Sequence, residues 1–397
     1  MFGWFENRAI DAPQLEDLFS EDYNKALARH IVLNEIKPLD DKGIWCHSSK
    51  YVRTVIVGTD ALALNIARQI ALTCHYPDFD DEKGCNRTVV TIVAPNASDR
   101  EDVEAVKKRF ESITGCLLAE CICRCEFHGK DTVVWNSHKS KSFIDLEFEF
   151  VGLAGADVNQ YIKGGGFDAD AIVSVLDSGG ILESETVSWI ERNLYQYYAV
   201  YEDRLRCGFT DYRIDVNRAS FVNMLYEAGS HLEDIFILDI FKVTAYKTAI
   251  ESFCRHTSAR KRWLSWNEIN DVSLKISSLN CADGLNIKIR SAEKGGLEIK
   301  KLNGAELECF ARSEHTRWSV EKLISGYRPY TAMERYDDEL LFSDPPVLKA
   351  ARKRLKTEHH AHIDICSCNE LMRTDFESYK YDILLTIAAD YIISVTN

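Results

Sequence analysis

The chain contains no run of about 18 uninterrupted apolar residues, the length a helix needs to cross a bilayer. Its nearest approaches, residues 235–246 and 381–395, are broken by Asp239 and Asp390. The N-terminal stretch carries Glu6, Asp11, Glu16 and Asp17 and lacks the basic start of a secretory signal. Positive charge is also short: 48 Lys and Arg stand against 62 Asp and Glu, a net charge of −14. Neutralising a phosphate backbone needs the opposite balance, which argues against a general nucleic-acid binder. No Gly-x-Ser-x-Gly elbow, His-Glu-x-x-His pair or P-loop occurs, so the common hydrolase, zinc-protease and nucleotide-triphosphatase signatures are missing. Internal repeats, heptads and low-complexity tracts are absent too. The 13 cysteines are odd in number and scattered, as expected for reduced thiols in a cytoplasmic protein.

What is present is enough for real cores: 397 residues, of which 46% are hydrophobic, predict two or three domains. Residues 1–50 read as a helical N-terminal arm, with a polar amphipathic helix over 13–36. From Tyr51 the pattern alternates. Strands are predicted at Val52–Val57, Thr88–Val93, Cys116–Phe127, Thr132–Trp135, Ile144–Val151 and Ala171–Leu176. Helices are predicted at Ala61–Cys74, Asp99–Thr114, Val158–Ile162 and Glu183–Tyr198. This spacing predicts a Rossmann-like α/β domain over 51–200, a doubly wound parallel sheet. Residues 201–299 read as a helical connector with a short hairpin, Leu285–Ile289 and Leu297–Lys301 around a polar turn at 293–296. Residues 300–397 read as a mainly α C-terminal domain opened by a helix at 304–325.

In such folds ligands bind at the carboxyl ends of the strands, here Gly58-Thr59-Asp60, Ala94-Pro95-Asn96 and Asp177-Ser178-Gly179-Gly180. The first loop keeps only the first glycine of a dinucleotide fingerprint. Asp60 and Ala63 replace the second and third, and a carboxylate there would block and repel a pyrophosphate. Gly58, Thr59, Asp60, Asn96, Asp177 and Ser178 are the candidate contacts if the domain holds an NAD-like or adenine nucleotide; the alternative is a degenerate domain used for dimerisation or scaffolding. Gly164-Gly165-Gly166 reads as a flexible turn.

The densest chemistry lies at Glu314-His315-Thr316-Arg317-Trp318, followed by Glu321-Lys322 and Gly326-Tyr327-Arg328. On a helix, His315, Trp318, Ser319 and Lys322 share one face, while Glu314 falls on the apolar side and needs a partner such as Arg317 or a later histidine. Trp318 reads either as a core anchor or as a stacking surface. His315 beside Glu314 has no nucleophile or metal to act with, so the cluster points to binding more than to catalysis.

These residues resemble the repeat domain of ryanodine receptors, a small helical module whose opening helix reads Glu-His-x-x-Trp, followed by a lysine and Gly-Trp or Gly-Tyr. The match uses Glu314, His315, Trp318, Lys322, Gly326 and Tyr327, then His362 to Leu371 and Tyr381 to Leu385. It departs at Ile363, where the family favours proline, and at Cys368, where tyrosine is usual; residues 329–357 look like an insertion. The resemblance covers 300–397 and implies a cleft whose aromatics stack on a flat ligand such as adenine; it does not imply a channel. It nominates Glu314, His315, Arg317, Trp318, Lys322, Tyr327, Arg328 and His362 as ligand contacts. The basic run Lys349–Lys356 reads either as a solvated helix face or as a phosphate contact at the cleft rim. The α/β region in turn resembles, at the level of fold, the nucleotide-binding (TrkA-N-like) domains of bacterial potassium-uptake regulators.

Two metal-like clusters read better as packing. Cys121, Cys123 and Cys125 with His128 alternate along a strand, a spacing poorly suited to tetrahedral chelation, and buried strand cysteine is favoured. Cys366 and Cys368 with His359, His360 and His362 overlap the repeat-domain pattern and read as cleft lining. The expectation is a cytosolic, homodimeric sensor of a nucleotide-derived signal. The alternatives are an enzyme acting on NAD at the Rossmann-like loops, or an interaction scaffold.

Overall fold

The computed structural model describes residues 23–79, 83–127, 130–136, 142–153, 157–164, 167–193, 195–200, 218–223, 225–226, 271–302 and 304–396. Seven strands form one sheet in the order β4-β3-β5-β2-β1-β6-β7. They are β1 (Tyr51–Val57), β2 (Thr88–Ala94), β3 (Ile122–Phe127), β4 (Lys130–Trp135), β5 (Leu146–Gly152), β6 (Ala171–Ser178) and β7 (Gln196–Val200). All pairings are parallel except the edge pair β3–β4. β2 is a continuous β-branched run from Thr88 to Val93 because both of its faces are covered, and every residue of Thr88–Ala94 is buried.

One face packs α2 (Ala61–Thr73) and α3 (Arg100–Thr114) against Val52, Ile56, Val90, Ile92, Phe148 and Phe150. On the other face α5 (Asp157–Gly164) and α6 (Ser184–Arg192) bring Val158, Ile162 and Ile190 onto Val55, Val57 and Val175. Both long helices on the first face begin as physics asks. The Asp60 and Asp99 carboxylates accept from the backbone N–H of Ala63 and Asp102, at 2.8 and 3.0 Å. A short helical turn, α4 (Leu117–Glu120), follows α3, and an N-terminal helix, α1 (Tyr23–His30), runs into a π-helical turn at Ile31–Glu35.

The C-terminal half is helical: α7 (Val272–Lys294), α8 (Gly304–Ile324), α9 (Ala332–Leu340), α10 (Pro345–Glu358), α11 (Cys368–Thr374) and α12 (Phe376–Thr396). A two-residue parallel ladder, β8 (Arg328–Pro329) with β9 (Ala361–His362), closes the loop that holds α9 and α10. Helices α7, α8 and α12 share one core through Leu285, Phe310 and Leu384. This half is joined to the sheet, because the sheet-side core runs on into Ile287, Val320, Leu323 and Ile365. Helix α2 lies between sheet and C-terminal helices, which is why it is apolar nearly all round. Arg29 reaches from α1 to Asp283 on α7, and Arg290 to Asp40, at 2.5 and 2.7 Å.

Three local expectations are corrected. Residues 285–301 form no hairpin: α7 runs through Leu285–Ile289, whose strand-like alternation arises because a helix packed on several sides buries Leu285, Ile287 and Lys288 alike. The helix expected to reach Tyr198 stops at Arg192, and Gln196–Val200 joins the sheet beside β6. The strand expected from Cys116 begins at Ile122, after the α4 turn. Most of the connector, residues 201–217 and 227–270, lies outside the described residues, as do 13–22 of the N-terminal helix, His128, Gly165, Gly166, Trp263 and Trp266. Among the described residues no helix is long and apolar enough to cross a membrane.

Candidate functional site

Helix α8 carries the cluster and is stopped by Gly326. The N–H of Tyr327 bonds back to the Lys322 carbonyl and that of Gly326 to Leu323, both at 3.0 Å, with Gly326 at φ 86°. This is the glycine-terminated helix end that a β-carbon would strain. It turns Tyr327 back beside the last helical turn, and the β8–β9 ladder, reinforced by the Arg328 N–H to the His360 carbonyl at 2.8 Å, delivers His362 to the same place. Residues far apart in sequence therefore converge.

The convergence is aromatic and cationic. The half-buried Trp318 ring stacks on His315, with centroids 6.1 Å apart and planes 16° from parallel. His362 meets Trp318 edge-on at 5.1 Å and Tyr327 at 6.0 Å, and Tyr327 also packs on His360 at 5.7 Å. The Lys322 ammonium sits 5.5 Å from the Trp318 ring centre. Burial, then the charges of Lys356 and Lys322, drive the His362 pKa down to about 3, so its ring is neutral. Its Nδ1 accepts from the Asp364 backbone N–H at 3.3 Å, which leaves the single ring proton on Nε2. Burial and the Lys322 charge also lower the Lys356 pKa. Both ammonium charges thus act on His362. Lys322 has Glu321 at 2.9 Å, whereas Lys356 has no ion pair among the described residues.

His315, 2% exposed, lies beneath the Trp318 ring. Its Nδ1 lies 3.2 Å from the Asp382 carboxylate and its Nε2 3.0 Å from the Cys366 carbonyl. Burial opposes an imidazolium, but hydrogen bonding and attraction to Asp382 overcome it and lift the His315 pKa to about 10. A base raised in the folded state stabilises fully below its ordinary 6.5 and loses that contribution as pH rises towards 10. Thermal unfolding of the wild type should therefore weaken over that window, and His315→Gln should lack this component. An identical slope in the variant would refute the assignment.

Glu314 and Arg317, expected in the cleft, do not line it. They are 0% and 1% exposed and face α7, where Lys288 donates to Glu314 at 2.5 Å, and Arg317 bridges Glu314 and Glu321 at 2.9 and 3.0 Å. A buried charge is stable only when paired, and these are paired with each other. Gly284 on α7 leaves room for the Arg317 side chain, which passes 3.4 Å from where a β-carbon would stand. Arg328 is also engaged, in a two-pronged pair with Glu334 at 2.8 Å on each side. In the basic run, Arg352 is held by Asp338 at 2.7 Å, while Lys349, Lys353 and Arg354 are exposed. Lys288 was not singled out in the sequence, where nothing but proximity in space marks it; Lys356 stood only within the basic run, His360 within the cysteine and histidine cluster, and Asp382 within the span 381–385.

The loops at the carboxyl ends of the parallel strands do meet at one point. The chain reverses direction across the sheet between β1 and β6, and there Ser178 donates to Asp60 at 2.6 Å. Gly58 is closely covered, with the Ser178 β-carbon 2.8 Å from where its own would be. The Asp60 carboxylate thus caps α2 and occupies the helix end where a phosphate would sit. Asp177 is wholly buried and accepts from the N–H groups of Ile181 and Leu182 and from the Tyr197 hydroxyl, at 2.7, 2.9 and 3.1 Å, which ties down its own loop. Thr59 is half-buried and Asn96 exposed at the same rim. Cys121, Cys123 and Cys125 are buried in the sheet core, and among the described residues no group of three or more His, Cys, Asp or Glu is placed to hold a metal ion. Comparison of the chain with protein-family models, with curated proteins and with solved structures finds no match to any of them.

Proposed function

We propose that the chain is a cytosolic, non-catalytic sensor whose C-terminal helical region, akin to the ryanodine-receptor repeat, binds a flat anionic ligand of the nucleotide class. The observation that carries this is the half-buried Trp318 ring with Lys322 and His362 on it and Lys356 close by. Such a site supplies a stacking face, a fixed N–H donor at His362 Nε2 and two cations for a phosphate. Of the residues nominated from the sequence, Trp318, Lys322, Tyr327 and His362 fill these roles, with Lys356 in place of Arg328. His315 holds the indole from behind, and Glu314 and Arg317 keep α8 in place. Coupling to the sheet domain runs through the end of α8, where the Leu323 carbonyl accepts from the Cys116 N–H at 2.9 Å.

The reading is tested by thermal-shift and calorimetric titration with ATP, NAD, ADP-ribose and cyclic mononucleotides. At least one should stabilise the wild type, and Trp318→Ala should weaken its binding by about 30-fold or more, the effect of a central aromatic anchor. Lack of any shift with the wild type overturns the reading. An enzyme acting on NAD at the Rossmann-like loops is disfavoured by the Asp60 cap; NAD turnover lost in Asp60→Asn would revive it.

A further inference from the structure

Helix α9 is amphipathic the wrong way round. Its charged residues Arg335 and Asp338 turn to the body of the protein, Asp338 to Arg352 at 2.7 Å and Arg335 to Glu370 at 2.5 Å. Its outer face carries Met333, Tyr336 and Leu340, 68%, 57% and 61% exposed, at the spacing of one helical stripe. Phe342 in the following turn and Val347 on α10 are apolar and exposed as well, 63% and 46%. Isolated apolar residues on a surface need no explanation, but a helix that buries ions and displays a continuous apolar stripe marks a surface that is covered in use.

The charges around the stripe indicate what covers it. On a wheel of about 3.6 residues per turn, Asp337 and Glu339 flank the α9 stripe on either side. On α10 the solvent-facing side carries Lys349, Lys353 and Arg354, all exposed. None of these five has an ion pair among the described residues. One helix of the hairpin therefore shows an acid-rimmed apolar stripe and the other a basic outer face. A surface with its own complement beside it is matched by itself after a two-fold rotation, which is the requirement of a closed symmetric interface.

We propose that this stripe is the interface through which two copies of the chain pair about a two-fold axis, with α9 of one copy lying across α10 of the other. The contact is formed by a part of the chain that hangs on the β8–β9 ladder, next to the aromatic cluster of Trp318, Tyr327 and His362.

Sedimentation velocity of the whole chain from about 1 to about 100 μM tests it, a range that brackets micromolar association. The wild type should show a concentration-dependent dimer. Leu340→Glu should raise the dissociation constant by about 100-fold or more, a charge in an apolar contact being costly, with the circular dichroism spectrum unchanged because the side chain is exposed. Asp337→Lys with Glu339→Lys should weaken the dimer about tenfold, and adding Lys349→Glu with Lys353→Glu in the same chain should restore it, since each acid then faces its opposite on the other copy. A monomer throughout the range, an open-ended polymer, or a dimer indifferent to Leu340→Glu each overturns the proposal. A dimer broken by Leu340→Glu but not rescued by the second charge pair overturns the crossing of α9 on α10.

Discussion

Glu314→Ala is expected to lower the free energy of unfolding by about 3–5 kcal/mol, the cost of stranding a buried charge by removing its partner. The carboxylate lies between the Lys288 ammonium and the Arg317 guanidinium, and all three are almost completely inaccessible. Without it, two cations face each other in the interior, and only Arg317 keeps an anion, Glu321. Urea denaturation monitored by tryptophan fluorescence measures the change, and a loss under about 1 kcal/mol would show that water or Glu321 takes over the role. Replacing the set by shape, Lys288→Met with Glu314→Leu and Arg317→Met, should recover most of the loss, because apolar substitutes need no partner. The pH dependence has a definite sign. Burial works against the Glu314 charge, but Arg317 and Lys288 outweigh it and hold the carboxyl at about 2, below its ordinary 4.5. An acid depressed in the folded state contributes its stability above 4.5 and loses it as pH falls towards 2. Acid unfolding of the wild type should draw on this group, and Glu314→Gln should flatten that limb.

Gly115→Ala should cost about 2–3 kcal/mol, through backbone strain and collision together. Gly115 sits at φ 57°, and an added β-carbon would stand 2.6 Å from the Leu323 carbonyl oxygen and 2.9 Å from that of Ile324. These atoms belong to the helix end that positions Tyr327, and a backbone neighbour cannot move aside as a flexible side chain can. The substitution is therefore expected to weaken the proposed ligand binding while changing none of Trp318, Lys322, Tyr327 and His362. The comparison with Trp318→Ala is informative: both should weaken binding, and only Gly115→Ala should also disturb the packing of α8 on the sheet domain, seen as faster amide exchange at Cys116. If Gly115→Ala binds as the wild type does, the two halves are not coupled through this contact.

Much of the sheet was legible because its central strands are covered on both faces. Such strands must be largely β-branched runs, as Thr88–Val93 is throughout and Val52–Val57 is apart from Arg53, and Asp60 and Asp99 mark the helix starts that follow them. The strand Gln196–Val200 was not legible: its tyrosines suit a helix or an edge strand equally, and only pairing with β6 decides between them. Leu285–Ile289 misled for a related reason, since burial on several sides erases the helical period. In the candidate site, the need of Glu314 for a partner could be read from its place on the apolar face, and Arg317 is one of the two it has. Lys288 could not be found that way, because it comes from another helix.

The amino-acid sequence by itself determined the alternation of strands and helices, the capping of the helices and the presence of one helix dense in aromatic and charged groups. These follow from hydrogen bonding and from apolar spacing within a few residues. Only the tertiary structure decided which charges on that helix are buried and which sit beside Trp318, and which distant residues complete that cluster. Glu314 and Arg317 turn to α7 while Trp318 and Lys322 turn to His362. Neighbours on one helix meet different surroundings because other elements pack against each side of it, and that packing joins segments far apart in the chain.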